Sequence, residues 1–320
     1  MRIARVVSVG LPLPSTEKGS AEHQARRMEQ AMLALRAYTP DFICFPEICL
    51  HVGSTLKQAV ADAEPVPGPT TQRLSAVCKT LNTHVMLPLL ERDADRVYNT
   101  VVLIDGQGKI LGRYRKHQPT SYEMADGVHA GTEIPIFETK LGRIGIAVCF
   151  DLKFPEVGLA LSRGRAELVF WPSMFKGGQR LHSWARDYGF HIVSCGVWGG
   201  KMVDPHGQTV AESLLPTDLP GLGEAHLVQS RINLDRKTYH LDYNRQKLPA
   251  LLAKYGSGVE AFLMDDEGIF TLTSLLKDKT VCDIEEEFGL EDLRSYLDRA
   301  IADKDRQLGQ NRELMFQHRL

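Results

Sequence analysis

Gly145-Ile146-Ala147-Val148-Cys149-Phe150-Asp151-Leu152-Lys153-Phe154-Pro155-Glu156 is an apolar run that ends abruptly on a thiol and then turns polar. A short continuous apolar run reads as a buried strand, and in an open α/β sheet the carboxyl end of such a strand faces the crevice where ligands bind. Cys149 is therefore a candidate nucleophile. A free cysteine more often packs as a small hydrophobe than reacts, so the assignment needs partners, and two other segments supply them. Asp41-Phe42-Ile43-Cys44-Phe45-Pro46-Glu47 is a second apolar run, with Pro46 where a hydrogen-bonded ladder must stop and Glu47 at its mouth. Gly108-Lys109-Ile110-Leu111-Gly112-Arg113-Tyr114-Arg115-Lys116-His117 is strand-like after a Gly-rich turn and delivers Lys116 to a comparable end.

Working outward, short apolar runs alternate with amphipathic stretches. Strands are expected at Ile3 to Leu11, Phe42 to Phe45, His84 to Leu89, Ile144 to Cys149, Leu168 to Trp171 and His191 to Val197. Helices are expected at Ala21 to Tyr38, Thr70 to Leu81, Glu156 to Arg163 and Leu181 to Gly189. Val97 to Ile104 and Ile110 to Tyr114 read as a hairpin about Asp105-Gly106-Gln107-Gly108. Such βαβ alternation with added hairpins implies an α/β fold class.

The chemistry asks for these residue types. A thiol has an ordinary pKa of about 8.5, so it needs an adjacent base or cation to act as a nucleophile at neutral pH. Glu47 is the candidate base, first for the Cys149 proton and then for a hydrolytic water. Lys116 is the candidate cation, favouring thiolate and donating to an oxyanion together with the backbone N–H of Phe150. The competing reading of Glu47 and Lys116 is a surface ion pair.

In that order, the three segments resemble the nitrilase superfamily of carbon-nitrogen hydrolases, whose members use a Glu-Lys-Cys triad. Val66-Pro67-Gly68-Pro69-Thr70, Tyr98-Asn99-Thr100, Asp105-Gly106-Gln107-Gly108-Lys109, Gly131 and Asp204-Pro205-His206-Gly207 look like the family's recurrent turns. The resemblance runs over roughly residues 1 to 245. It implies an α-β-β-α layered sandwich, with residues 246–320 as a C-terminal extension. Glu123 resembles a second glutamate that orients the lysine and the substrate amide; its other reading is a solvated loop carboxylate. Trp171, Pro172, Ser173 and Phe175 fall in the loop that lines the family's pocket. Trp184 and Arg186 match its next helix, where Arg186 is either a carboxylate grip or half of a structural ion pair. Asp151 and Phe154-Pro155-Glu156 after the cysteine resemble the amidase and carbamoylase-like branch rather than nitrilases proper, which usually carry Trp-Glu after it. The implied function is a thiol amidohydrolase acting on a small linear amide or N-carbamoyl compound through an acyl-enzyme, with ammonia released. Nitrile hydrolysis and a non-catalytic scaffold are the alternatives. The family's habit of pairing implies at least a homodimer. Gly189-Phe190, Cys195 and the short Gly199-Gly200-Lys201 run depart from the family pattern, so the resemblance does not carry substrate identity.

Composition fits a soluble enzyme. The 320 residues are 43% hydrophobic and 24% charged, enough apolar material for a large core, and the formal net charge of −2 leaves no basic stripe for nucleic acid. Cysteines 44, 49, 78, 149, 195 and 282 show no metal-ligand spacing, and Cys44, Cys78 and Cys195 read as core packing. His117, His129, His182 and His191 have no ligand partner at proper spacing and read as surface or pocket polar groups. Gly106 and Gly108 lack a third glycine and a following helix, which removes a phosphate-cradling loop, and no cofactor is implied. Met1 to Gly10 starts directly as a strand without a signal peptide's features, and no run approaches a membrane span, so a cytoplasmic protein is expected. In the extension, Leu248 to Tyr255 and a charged stretch from Glu285 to Arg312 read as helical, and Leu290, Leu293, Leu297 and Ile301 read as one amphipathic face.

Overall fold

The computed structural model describes residues 1–13, 19–213 and 215–309. Its contacts divide the chain into two units, Arg2–Leu234 and Met1 with the chain from Asp235 onward. The boundary expected at 245 therefore falls earlier, between Leu234 and Asp235, because Arg236–His240 pairs with Ile269–Ser274 in a sheet of the second unit.

The first unit holds two sheets. One runs Thr217–Leu219, Gly223–Asn233, Ile3–Gly10, Phe42–Cys44, His84–Asp93, Arg96–Ile104, Ile110–Arg115, with Val128–His129 also paired to Arg96–Ile104. The other runs Thr209–Glu212, Lys201–Val203, His191–Cys195, Leu168–Pro172, Arg143–Ile146, Phe137–Glu138. Alternation along each strand decides what each face covers. Phe42 and Cys44 share the core between the sheets with Ile144, Ile146 and Phe170, whereas Ile43 shares a core with Met28 and Met32 of the helix Ala21–Ala34. In the second sheet, Leu168 and Phe170 face the inter-sheet core, while Val169 and Trp171 pack with Leu161 of Pro155–Arg163 and Leu181 and Ala185 of Gln179–Tyr188. The layers are helix, sheet, sheet, helix, as the resemblance implies.

Strand direction brings the chemistry to one end. Ile3–Gly10, Phe42–Cys44 and His84–Asp93 are mutually parallel, and two antiparallel steps through Arg96–Ile104 return Ile110–Arg115 to the same direction. Glu47 and Lys116 thus leave their sheet at the same edge. Arg143–Ile146, Leu168–Pro172 and His191–Cys195 are likewise parallel to one another.

Three expectations change. The helix from Ala21 ends at Ala34 and tightens into a 3₁₀ turn over Leu35–Tyr38, because Thr39 precedes Pro40 and takes φ 45°. The strand expected to reach Cys149 stops at Ile146, and Cys149 opens a 3₁₀ turn, Cys149–Lys153. The charged helical stretch is two helices, Val281–Phe288 and Leu293–Leu308, separated at Gly289, whose φ of 58° closes the first in the left-handed conformation glycine tolerates. Residues 310–312 of that expectation lie outside the described residues. Leu290 consequently leaves the expected stripe and is buried with Tyr239, Leu251, Phe270 and Ile284 in the second unit's core, while Leu293, Leu297 and Ile301 are half-buried. Among the described residues, no helix is long and apolar enough to cross a membrane.

Candidate active site

Glu47 follows the break that Phe45-Pro46 imposes on its strand, and it is 2% exposed. The next residue, Ile48, has φ 49°, a region that a β-branched side chain enters only under constraint. The carboxylate is fully engaged. Oε1 accepts from Lys116 Nζ at 2.8 Å and Asn99 Nδ2 at 2.9 Å, and Oε2 accepts from the Met174 N–H at 3.0 Å.

Lys116 follows directly on Ile110–Arg115 and is 1% exposed, so the surface-pair reading does not hold. Its backbone is pinned on both sides, its N–H donating to Asn99 O at 2.7 Å and its carbonyl accepting from the Gly131 N–H at 2.8 Å. That approach requires glycine, since a Cβ on residue 131 would stand 2.2 Å from the Arg115 carbonyl oxygen.

Glu123 is buried rather than solvated. It sits at the third position of Ser121–Ala125 in a capping box with Thr120, which aims its carboxylate back toward the helix start. Oε2 accepts from Lys116 Nζ at 2.7 Å and the Thr120 N–H at 2.8 Å, and Oε1 accepts from Asn99 Nδ2 at 2.8 Å. One ammonium and one amide therefore bridge two glutamates.

Cys149 has φ 46°, the left-handed region, which costs a non-glycine residue on the order of 1 kcal/mol or more. Trp171 Nε1 donates to the Cys149 carbonyl at 3.1 Å and holds the turn from behind. The thiol meets the Glu47 carboxylate and the Met174 N–H. Phe150 is in the first turn of Cys149–Lys153, where backbone N–H groups have no helical acceptor of their own.

Electrostatics follow from burial. Desolvation pulls the Lys116 ammonium down, but Glu47, Cys149 and Glu123 outweigh it and the pKa lies above its ordinary value. For Glu123, burial pushes upward, and the Lys116 charge with hydrogen bonds from Lys116, Thr120 and Asn99 brings it below the usual carboxylate range. Cys149 is pushed up to about 12, first by burial and then by the Glu47 charge, against which the Lys116 ammonium is insufficient. The expectation that Lys116 favours thiolate holds in direction only: the resting site holds a neutral thiol.

The loop after Leu168–Pro172 frames a cleft of about 1130 Å³ whose described lining includes Trp171, Ser173, Met174, Phe175, Ser194 and Trp198. The cleft does not itself reach Glu47, Lys116 or Cys149; it meets them at Met174, whose N–H is bound to Glu47. Trp171 is buried, with Phe175 edge-on at 5.1 Å. Ser173 shapes the loop, its Oγ donating to Phe175 O at 2.8 Å and accepting from the Phe175 N–H at 3.0 Å. Pro172 ends the strand beside Cys195 and is not part of the lining. Trp184 and Arg186 are also away from the cleft: Trp184 is buried in the core under the helix Gln179–Tyr188, and Arg186 pairs with Asp187 at 3.3 Å.

Asn99 is the residue that sequence reasoning missed. Tyr98-Asn99-Thr100 looks like one of the family's recurrent turns, yet it falls within the strand expected at Val97 to Ile104 and lies inside the strand Arg96–Ile104, with Asn99 wholly buried. An amide inside an otherwise apolar strand must find partners, and that signal was available. Asn99 Oδ1 remains buried without a hydrogen bond. Among the described residues, no group of three or more His, Cys, Asp or Glu is placed to hold a metal.

The chain is 37% identical over 109 residues to a bifunctional nitrilase/nitrile hydratase of Lupinus angustifolius, covering 34% of this chain and 31% of that protein. It is 36% identical over 122 residues to a beta-ureidopropionase of Arabidopsis thaliana, covering 36% of this chain and 30% of that protein. Each match thus spans about a third of the relative. In fold it is similar to Saccharomyces cerevisiae Nit3, a member of branch 10 of the nitrilase superfamily, with TM-score 0.59 and 21% identity over 72% of this chain and 90% of that one. A Nesterenkonia sp. amidase structure described by Michael addition of acrylamide at the active site cysteine gives TM-score 0.61 and 19% identity over 79% of this chain and 99% of that one. The carbon-nitrogen hydrolase family model matches residues 5–213, and with the layered fold and the buried Glu47-Lys116-Cys149 group inside that span, this chain belongs to the carbon-nitrogen hydrolase family.

Proposed function

We propose that the protein is a thiol amidohydrolase that cleaves a non-peptide C–N bond of an amide or N-carbamoyl compound. The observation that carries this reading is the Cys149 thiol on a left-handed turn, facing a buried carboxylate that a buried ammonium holds. Since the resting thiol is neutral, Glu47 takes its proton as sulfur attacks the carbonyl carbon, rather than finding a thiolate already formed. The total charge of the group is unchanged by that step, because the negative charge moves from Glu47 to the carbonyl oxygen. Lys116 uses two of its three protons on Glu47 and Glu123, which leaves the third for the oxyanion beside the Phe150 N–H. Collapse of the tetrahedral intermediate breaks the C–N bond, and protonated Glu47 supplies the proton that the leaving nitrogen needs. Water then attacks the thioester with Glu47 again as base, which releases the acid and restores the thiol. From an N-carbamoyl compound the products are ammonia, carbon dioxide and the amine.

Glu123 and Asn99 hold Lys116 and Glu47 at fixed separation, and the loop Trp171 to Phe175 meets the acyl group. A second reading, nitrile hydrolysis, is favoured by the nitrilase relatives, although Asp151 and Phe154-Pro155-Glu156 speak for the amide. A scaffold without catalysis is the third, and it offers no physical reason for a thiol beside a base and an ammonium. A release assay for ammonia across amides, N-carbamoyl amino acids and nitriles separates them. Turnover is expected on amides or carbamoyl compounds, lost in Cys149→Ala and also in Cys149→Ser, whose higher pKa defeats a carboxylate base. Activity retained in Cys149→Ala removes the mechanism. Release from nitriles but not from the matching amides moves the assignment to the second reading. Assembly as at least a dimer belongs to the same proposal, and a monomer mass by light scattering would refute it.

A further inference from the structure

Asp151 lies two residues past the nucleophile on the same 3₁₀ turn and is 0% exposed. Its oxygens reach in two directions. Oδ2 accepts from the N–H of Val148, the residue before Cys149, at 2.8 Å, and from the Tyr114 hydroxyl at 2.6 Å. Oδ1 accepts from the Gln118 N–H at 2.8 Å. Tyr114 and Gln118 bracket Lys116 on the other sheet, two residues to either side, and the Tyr114 oxygen also accepts from the His117 N–H at 3.3 Å.

We propose that Asp151 is a positioning residue that ties the Cys149 turn to the Lys116 strand end, fixing the nucleophile and the oxyanion donor relative to each other. The inference rests on the amidohydrolase reading and adds to it a residue that touches neither substrate nor thiol. Three lines converge. Cys149 holds a left-handed φ that would relax without hydrogen bonds on both flanks, and Asp151 supplies the one at Val148 while Trp171 supplies the one at the Cys149 carbonyl. The nucleophile and the lysine come from different sheets, so a link across the gap is needed to hold their spacing, and misplacement by about 1 Å costs about 100-fold in rate. The link is also an expensive choice for packing alone. Burial raises the Asp151 carboxyl to about 6 in spite of the Tyr114, Val148 and Gln118 donors and the nearby Lys116 charge. A neutral side chain would fill the same space without that desolvation.

Asp151→Asn tests the link, because an amide accepts with one oxygen only. Whichever way it is turned, an NH₂ group faces either the Val148 or the Gln118 N–H, and one arm is lost. Tyr114→Phe removes the hydroxyl and leaves both backbone arms. For Asp151→Asn, kcat is expected to fall about 100-fold with KM changed less than about threefold, and for Tyr114→Phe kcat is expected to fall less than about tenfold. A lowered melting temperature with kcat preserved in both variants would overturn the proposal, since that is the mark of a structural carboxylate. If Asp151→Asn does not fold, Tyr114→Phe decides: a kcat loss of about threefold to tenfold with KM unchanged is expected, and an unchanged kcat would overturn the proposal. If the wild-type protein hydrolyses no amide, the amidohydrolase reading fails separately, and alkylation by acrylamide still tests the link. Labelling of Cys149, followed by peptide mass spectrometry against exposed Cys282, is expected to slow about tenfold in Asp151→Asn. A Cys149 rate that is unchanged or faster would overturn the link.

Discussion

Gly112-Arg113-Tyr114-Arg115-Lys116 feeds two buried ion networks, and they differ in a way that separates structure from chemistry. Arg113 and Arg115 turn to Glu91, while Tyr114 and Lys116 turn to Asp151, Glu47 and Glu123. The neighbouring strand splits the same way, Thr100 donating to Glu91 at 2.8 Å and Asn99 to the two site glutamates. Around Glu91, both oxygens are capped twice: Oε1 by Arg113 and Arg115, Oε2 by Thr100 and Arg115. Two guanidinium groups there balance Glu91 and Asp93. The site network has two carboxylates against one ammonium, a lysine proton to spare, an unbonded amide oxygen on Asn99 and a thiol with a proton to give. A closed, neutral network holds a sheet together; an open, anionic one is poised to accept a proton and stabilise new charge.

The comparison is broken most directly by removing its two kinds of cation. Lys116→Ala deletes an oxyanion donor and leaves Glu47 and Glu123 facing each other, so kcat is expected to fall by about 100-fold to 1,000-fold. Steady-state kinetics on whichever amide is turned over measures this, and a loss below tenfold would place the lysine outside the reacting group. Gly131→Ala acts one step back. The new methyl would meet the Arg115 carbonyl at 2.2 Å, against backbone that cannot swing away, and Lys116 must shift with it. A kcat loss of about 100-fold is expected although residue 131 has no side chain in the site; unchanged kcat would show that the lysine tolerates backbone displacement.

Only the site half of this contrast was legible in the sequence. Glu47, Lys116 and Cys149 were found because each is a chemistry-bearing side chain at the end of an apolar or strand-like run, and parallel strands gather such ends at one edge. The α/β class was legible from the alternation of apolar runs with amphipathic stretches, whereas the layered sandwich followed only from the family resemblance. Asn99 was not found although the strand expected at Val97 to Ile104 contains it, because a strand's bounds do not show which of its polar side chains meets buried partners. The role of Trp171 behind the nucleophile depends on where the Cys149 carbonyl points, which the left-handed φ sets and composition does not reveal. Trp184 was misplaced although the information existed: Leu181, Trp184 and Ala185 share one helical face, and that face is core. Glu285 to Arg312 read as one stretch because its charged residues continue past Gly289, where a left-handed cap ends the first helix.

The thiol itself sharpens the comparison through pH. Burial and the Glu47 charge raise Cys149 to about 12, so its thiolate fraction climbs throughout the neutral and alkaline range. Without substrate, its alkylation by iodoacetamide at pH 7 to 9 is expected to be slower than that of exposed Cys282 and to rise about tenfold per pH unit. Peptide mapping after a brief, limiting dose measures both sites at once. Preferential labelling of Cys149 at pH 7 would mean that Lys116 wins over Glu47 and burial, and that the nucleophile is a standing thiolate.

The smallest effects belong to the other face. Glu91→Gln removes a buried carboxylate from two guanidinium groups that are themselves 38% and 21% exposed, so water takes up part of the loss and about 2 kcal/mol of stability is expected to go. Arg113→Ala removes the more exposed of the two arginines and is expected to cost about 1 kcal/mol or less. Urea unfolding gives both stabilities, and kcat under native conditions should not change in either variant, because the residues touching Glu91 leave the site carboxylates and the thiol alone. The sensitive case is Glu91→Gln, since Arg115 and Lys116 share a peptide bond. If kcat drops there in proportion to stability, the register of that bond is set from the Glu91 side, and the network that looks structural is part of what aims the lysine.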